Sequence, residues 1–345
     1  MSILLLRRRP ELTLTATTTA SPQTVSIARM TMADGPFIIN WGDGTTEVLD
    51  GSLTTARTHA YATAGTYRIR VRRPERIAQI HLLSSALGGF NTAQLRNSPI
   101  VGFYLASITG STFNSADMRG WPVTTDWQIR NMPAGGIYRI DTSDMAHFRP
   151  TRFWFYAIAG GDFVLNSAQI TAWRPNDVRI AGALPAGTYT INSVHLQDWP
   201  ITTAFYLNSV PAGTYVFDFG DVTTWAVSFF YLHTMPAGTY TINPATFAAW
   251  TGIRDLRVYT LDPIIPTATV DAIIDAIHAA RNGYTVATNI RLDIGGTNGG
   301  PTGVVQNVCP PTTPGERLWN LHHVQCAGDT HRVWSPITYT GGTLP

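Results

Sequence analysis

The phrase Pro185-Ala186-Gly187-Thr188-Tyr189 returns as Pro211-Ala212-Gly213-Thr214-Tyr215 and again as Pro236-Ala237-Gly238-Thr239-Tyr240, at steps of 26 and 25 residues. Stepping back by 26 meets a degenerate copy, Ala159-Gly160-Gly161-Asp162-Phe163, and then Pro133-Ala134-Gly135. A second marker keeps the same beat: Trp121, Phe148, Trp173, Trp199, Trp225 and Trp250. A period of this length predicts a solenoid, in which each coil buries its apolar face only against its neighbours. Solenoids serve mostly as scaffolds and binding surfaces, so the expectation is a protein that is not an enzyme.

Alignment of the coils on the Pro of the phrase predicts their internal structure. Six and four residues before it stand Trp127/Ile129, Phe153/Phe155, Arg179/Ala181, Phe205/Leu207 and Phe230/Leu232. Spacing by two places both members on one face of a strand, the buried one. After the corner, Phe163/Leu165, Tyr189/Ile191, Tyr215/Phe217 and Tyr240/Ile242 repeat the pattern for a second strand. Asn114, Asp141, Asn166, Asn192, Asp218 and Asn243 then fit caps of a short helical turn. Met118, Met145, Ile170, Leu196, Val222 and Phe247, with the aromatic marker, would bury the inner side of that turn.

Composition narrows the class. Charged residues are 13 % of the 345, net charge is +2, and all 24 basic residues are Arg. That is no electrostatic footprint for nucleic acid, and the lack of Lys excludes a Schiff base or a Walker lysine. The order Leu4-Leu5-Leu6-Arg7-Arg8-Arg9 is the reverse of a signal peptide, and no segment is long enough to insert in a membrane. Synthesis in a cytoplasm is the expectation.

Ahead of the coils, residues 12–73 read as short alternating strands. Trp41-Gly42-Asp43-Gly44, His59-x-Tyr61 and Gly65-Thr66-Tyr67 occur in order. Together they resemble the polycystic-kidney-disease (PKD) type of immunoglobulin-like β-sandwich. The resemblance implies that Trp41 and Tyr61 are core and that Asp43 shapes a turn. The expected organisation is an N-terminal arm over 1–11, the sandwich over 12–73, the coils over 74–262 with an irregular first one, and a small α/β C-terminal cap and tail over 263–345. Within that cap, Val270 to Ile277 has helical spacing. A strand (Ile290 to Ile294) and a Gly-Gly-x-Asn turn follow it. The whole is expected to be mainly β. The coils look like an atypical leucine-rich-repeat solenoid with aromatics in place of many leucines, and a PKD-type module followed by such coils resembles bacteriophage structural proteins and bacterial surface proteins.

Few residues suggest chemistry. There is no Gly-x-Ser-x-Gly and no His-Glu-x-x-His, and the only glutamates are Glu11, Glu47, Glu75 and Glu316. Asp126, Asp162 and Asp177 form no repeated pair of the kind a glycosidase needs. No catalytic residue and no cofactor are expected, and the run Gly295–Gly303 reads as a turn rather than a phosphate loop. Cys309, His322, His323 and Cys326, with His331 beside them, are zinc donor types without a Cys-x-x-Cys spacing. A disulfide or two free thiols are the competing expectations.

The outer strand face carries the binding candidates. Five and three residues before the corner stand Gln128/Arg130, Trp154/Tyr156, Ile180/Gly182, Tyr206/Asn208 and Tyr231/His233, with Arg257/Tyr259 and Tyr104 on flanking coils. Exposed aromatics among Arg, Asn and His suit sugar rings or a protein interface. The leading expectation is a non-enzymatic virion structural protein (tail fibre, tail tip or capsid-surface component). Its partners would be other virion proteins, further copies of itself, and a host surface glycan or protein receptor, with no nucleic acid. The alternatives are a bacterial surface or secreted glycan-binding adhesin and a glycan depolymerase. Synthesis in a host cytoplasm and residence in a virion are the expectation, with a bacterial cell surface or secretion as the alternative.

Overall fold

A computed structural model describes residues 11–49, 52–285, 290–323 and 333–344. The chain is mainly β. It divides into two compact units, the first formed by Met1–Val164 with Leu184–Ala186, the second by Leu165–Ala183 with Gly187–Pro345.

The first unit opens with antiparallel strands. Glu11–Thr18 lies along Gly65–Arg72, with Leu12 opposite Val71 and Leu14 opposite Ile69, all four buried. Alternation of apolar and polar residues puts one face of each strand inside. Phe37–Asn40 adds to Gly65–Arg72 and Thr46–Leu49 adds to it in turn. Trp41 and Tyr61 are buried; the Tyr61 hydroxyl donates to the Trp41 carbonyl at 2.8 Å, and His59 stacks on Trp41 at 4.8 Å. Asp43 accepts from the Thr45 amide at 2.9 Å and its hydroxyl at 2.6 Å, and meets His59 at 2.7 Å. Trp41 and Tyr61 are thus core, and Asp43 ties the turn.

Arg29–Met32 pairs antiparallel with Ile77–Leu82, the first strand of a parallel sheet. Gly102–Ala106, Asp126–Met132 and Arg152–Ile158 follow in order. Thr112–Asn114, Ile137–Asp141 and Asp162–Asn166 form a second parallel sheet. The second unit repeats the scheme. Asp177–Ala181, Ala204–Asn208, Phe229–His233, Asp255–Tyr259 and Ile290–Asp293 run parallel, and Gly187–Asn192, Thr214–Asp218 and Thr239–Thr241 form the companion sheet.

The recurring residues bind one another one period apart. Each predicted cap takes the amide two residues on, from Asn114 with Ala116 at 3.1 Å to Asn243 with Ala245 at 3.2 Å. The turns they cap are single 3-10 turns, except for the α-helix Pro244–Ala249. Where a hydroxyl follows the cap, as it does everywhere but after Asp218 and Asn243, it reaches the next repeat. Thr92 accepts from the Asn114 amide and donates to Asp117, and Ser115 does the same with Asp141 and Asp144. In the second unit Ser193 serves the Asp218 amide and Asp221. The six aromatic markers are buried.

The corner phrase is explained by its ends. The Tyr215 hydroxyl donates to the Pro211 carbonyl at 2.8 Å and Tyr240 to Pro236 at 2.8 Å, closing each corner across itself. A Cβ on Gly213 would stand 2.5 Å from the Tyr189 carbonyl, so close approach of neighbouring repeats demands glycine there. A left-handed residue lies near the end of, or just after, each strand that precedes a corner (Ser107, Asn131, Ala157, Gly182, Ser209, Thr234 and Thr260).

One expectation is reversed. Val178 and Ile180 are the buried pair of Asp177–Ala181, while Arg179 and Ala181 face outward. The left-handed residue stands two before Pro211 but three before Pro185, so this corner holds one extra residue. Counting from the Pro therefore misplaces the strand by one and flips its faces. Beyond the repeats, the helix Thr267–Ala279 buries Val270, Ile273, Ile274 and Ile277 as its spacing predicts. Asn298 is buried and clasps the Val258 and Ile294 carbonyls at 2.9 and 3.1 Å, so the glycine-rich run is a structural turn.

Candidate binding face

Strand residues two apart project from the same side, and parallel pairing in register lines them up into rows across the sheet. In the first unit one row is His81, Tyr104, Gln128 and Trp154, and the next holds Ala106, Arg130 and Tyr156. The Arg130 guanidinium lies 4.4 Å from the Tyr104 ring centre, 5.3 Å from Trp154 and 6.0 Å from Tyr156, and donates to the Tyr156 hydroxyl at 3.1 Å. Such a cation among rings gains from their quadrupoles and is held in one orientation. Asp126, at the head of its strand, accepts from Gln128 at 3.0 Å and pairs with Arg152 at 2.6 Å.

The row differs from its expected character. Tyr104 and Gln128 are buried, at 8 % and 2 % exposure, and the other members are half-buried. The side chains cover one another instead of standing free in water. Burial, opposed by Asp126 and aided by Arg29 and Arg152, lowers the His81 pKa to about 4, so this imidazole is neutral at neutral pH.

In the second unit the corresponding rows are Arg179, Tyr206, Tyr231, Arg257 and Asp293, and beside them Ala181, Asn208, His233 and Tyr259. Tyr206 and Tyr231 stack at 4.1 Å with planes 3° apart. Arg179 covers Tyr206 at 4.8 Å and Arg257 covers Tyr231 at 4.2 Å. Each arginine is held by the aspartate two residues before it: Arg179 by Asp177 at 3.0 and 3.2 Å, Arg257 by Asp255 at 3.0 and 2.8 Å. The Tyr231 hydroxyl also donates to Asp255, at 2.7 Å. His233 and Tyr259 stack at 4.5 Å. Burial, with Arg257 beside it, lowers the His233 pKa to about 4. Burial raises that of Asp293.

The face thus brings Arg130, Trp154 and Tyr156 together in the first unit, and Tyr206, Asn208, Tyr231, His233, Arg257 and Tyr259 in the second. Ile180 does not belong to it: the side chain is 5 % exposed and points into the core. Arg179 takes its place. Sequence reasoning also missed His81 and the anchoring aspartates Asp126, Asp177 and Asp255. An Asp at the first position of each of these three strands, two residues before an outward side chain, was the available signal.

The other candidates separate cleanly. Asp126 and Asp177 are arginine-bound, and Asp162 is exposed at the start of its own strand. Asp117 and Asp144 hold Arg96 and Arg119, each at 2.6 Å, as well as the repeat hydroxyls. Cys309 is disulfide-bonded, which removes its sulfur from the expected zinc donors; Cys326 and His331 lie outside the described residues. His322 and His323 end the helix Pro314–His323 with their rings 4.1 Å apart. Among the described residues no three His, Cys, Asp or Glu side chains gather as a metal site, and no helix is long and apolar enough to cross a membrane. No protein family, no curated protein and no solved structure matches this chain.

Proposed function

We propose that this chain is a non-enzymatic structural protein of a bacteriophage virion, a tail-fibre, tail-tip or capsid-surface component. In this reading residues 12–73 are a PKD-type immunoglobulin-like sandwich that docks, and residues 74–262 are a leucine-rich-repeat-like solenoid that displays a contact surface. The observation that carries it is the ordered outward face of the strands. Tyrosines stacked between arginines, each arginine oriented by its own aspartate, present a rigid aromatic surface of the kind that anchors interfaces. Asp126, Asp177 and Asp255 on that face are spent on arginines and on hydrogen bonds within it, which favours holding over bond cleavage. Placement in a virion rests on the order of the two modules. Partners are further copies of the chain, other virion proteins, and a host glycan or protein receptor.

The test is peptide mass spectrometry of purified particles from the source culture, with copy number measured against the major capsid protein. A few copies per particle support a tip or fibre, and many support a capsid-surface role. Absence from particles overturns the virion reading. A second reading, a surface or secreted glycan-binding adhesin, is favoured by the disulfide at Cys309, because disulfides persist in oxidising surroundings. Protease shaving of intact cells that releases its peptides, together with absence from particles, would establish it.

A further inference from the structure

The first unit carries a concentration of polar groups that its own fold leaves unmatched. On the outward rows the Tyr104 hydroxyl, the Gln128 Oε1, the His81 Nε2 and the Arg130 Nε are buried and have no hydrogen-bond partner among the described residues. Tyr104 and Gln128 are themselves more than nine-tenths buried. A buried polar group without a partner is costly, and native folds hold few of them. Here three adjoin in register and Arg130 stands in the next row, around one aromatic cluster.

Charge is unmatched there too. Arg152, Arg179 and Arg257 are each bound to an aspartate. Arg130 meets no carboxylate among the described residues; its neighbours are three rings and a tyrosine hydroxyl. Arg29, opposite His81 at the start of the same row, also lacks an ion-pair partner among the described residues. Asp126 cancels Arg152, so the patch is left with two positive charges. Three strand spacings across the sheet, at about 4.8 Å each, and two residues along it separate Arg29 from Arg130, roughly 16 Å in all.

We infer that this face of the first unit binds an acidic polysaccharide, its charged groups received by Arg130 and Arg29 and its sugar rings laid on Trp154 and Tyr156. Charged groups a few sugar units apart on one chain meet the two cations. The unmatched set holds both donors and an acceptor, as hydroxyl-rich ligands require, and aromatic faces pack on the C–H faces of sugars. A carboxylate and a sulfate ester are the same chemistry to a guanidinium. This inference rests on the reading of the strand face as a contact surface.

Calorimetric titration of the whole chain with a hexagalacturonate tests it, against the methyl-esterified hexamer, a chondroitin sulfate hexasaccharide, oligo(dT) and poly-glutamate. Binding of the acidic hexamer is expected, weakened about tenfold or more by esterification and by Arg130→Gln, and less by Arg29→Gln. Arg139→Gln, on an exposed residue of the other sheet, should leave it unchanged. Comparison of the two acidic sugars tells carboxylate from sulfate. Circular dichroism confirms that each variant is folded. Equal binding of the esterified and acidic forms, undiminished binding by folded Arg130→Gln, preference for oligo(dT) or poly-glutamate, or no binding of any glycan would each overturn the inference. If such a result comes with unchanged incorporation of the Arg130→Gln chain into particles, the glycan inference alone fails and the virion reading stands.

Discussion

Tyr215 shows why a short phrase recurs. Its ring is buried between repeats and its hydroxyl closes the corner on Pro211. Tyr215→Phe keeps the ring and loses the bond, so thermal or urea unfolding should register a loss of about 0.5–1.5 kcal/mol. Gly213→Ala should cost more, about 1–3 kcal/mol, because the new methyl would meet the Tyr189 carbonyl at 2.5 Å. A smaller cost for the alanine than for the phenylalanine would show that the corner is looser than this geometry. Asp43 gives a pH-dependent case. Burial opposes its charge, but bonds from Thr45 and His59 outweigh that and lower its pKa from 3.8 to about 2. The folded state therefore binds this proton more weakly than the unfolded one. Asp43 contributes its full stabilisation above about pH 4, and the contribution fades as pH falls toward 2. The difference in melting temperature between the wild type and Asp43→Asn should shrink over that interval. A constant difference would mean that the carboxylate's charge is irrelevant to the turn.

At the scale of the element, the strand Asp177–Ala181 marks where the sequence was legible and where it was not. The caps, the buried aromatic markers and most strand faces could be read because each repeated residue contacts its own copy one period along, so the period is written into the chain. Arg179/Ala181 was the one aligned pair that was not apolar, and that misfit was the visible trace of the extra residue at the corner. The burial of Tyr104 and Gln128 left no such trace, because it arises from neighbours on adjacent strands and not from their own spacing. The corrected register is testable. Ile180→Ala should cost about 2–5 kcal/mol and Arg179→Ala less than about 1 kcal/mol. The reverse order would restore the register counted from the Pro. Trp199→Ala should cost about 3–5 kcal/mol, since this marker is 2 % exposed.

At the scale of the whole molecule, repetition of one unit makes stability a matter of neighbours, each repeat being held by the one before and the one after. Residues 204–228 make up one complete repeat: Ala204 pairs with Phe229, and the Thr203 carbonyl accepts from both the Ser228 and Phe229 amides. Excision of 204–228 joins Thr203 to Phe229 and brings Val178 beside Phe230 and Ile180 beside Leu232, apolar against apolar. The corner, cap and marker of the next repeat then take the places of those removed. The shortened chain should fold cooperatively, with an unchanged circular dichroism shape and a lower melting temperature. Excision of only 204–215 removes a strand and leaves its companion turn unmatched, so that chain should fail to fold. If both deletions unfold the protein, the repeats are not interchangeable and the period is a relic of ancestry more than a rule of packing. If the complete excision alone survives, the spacing of the corner phrase is the structural unit itself.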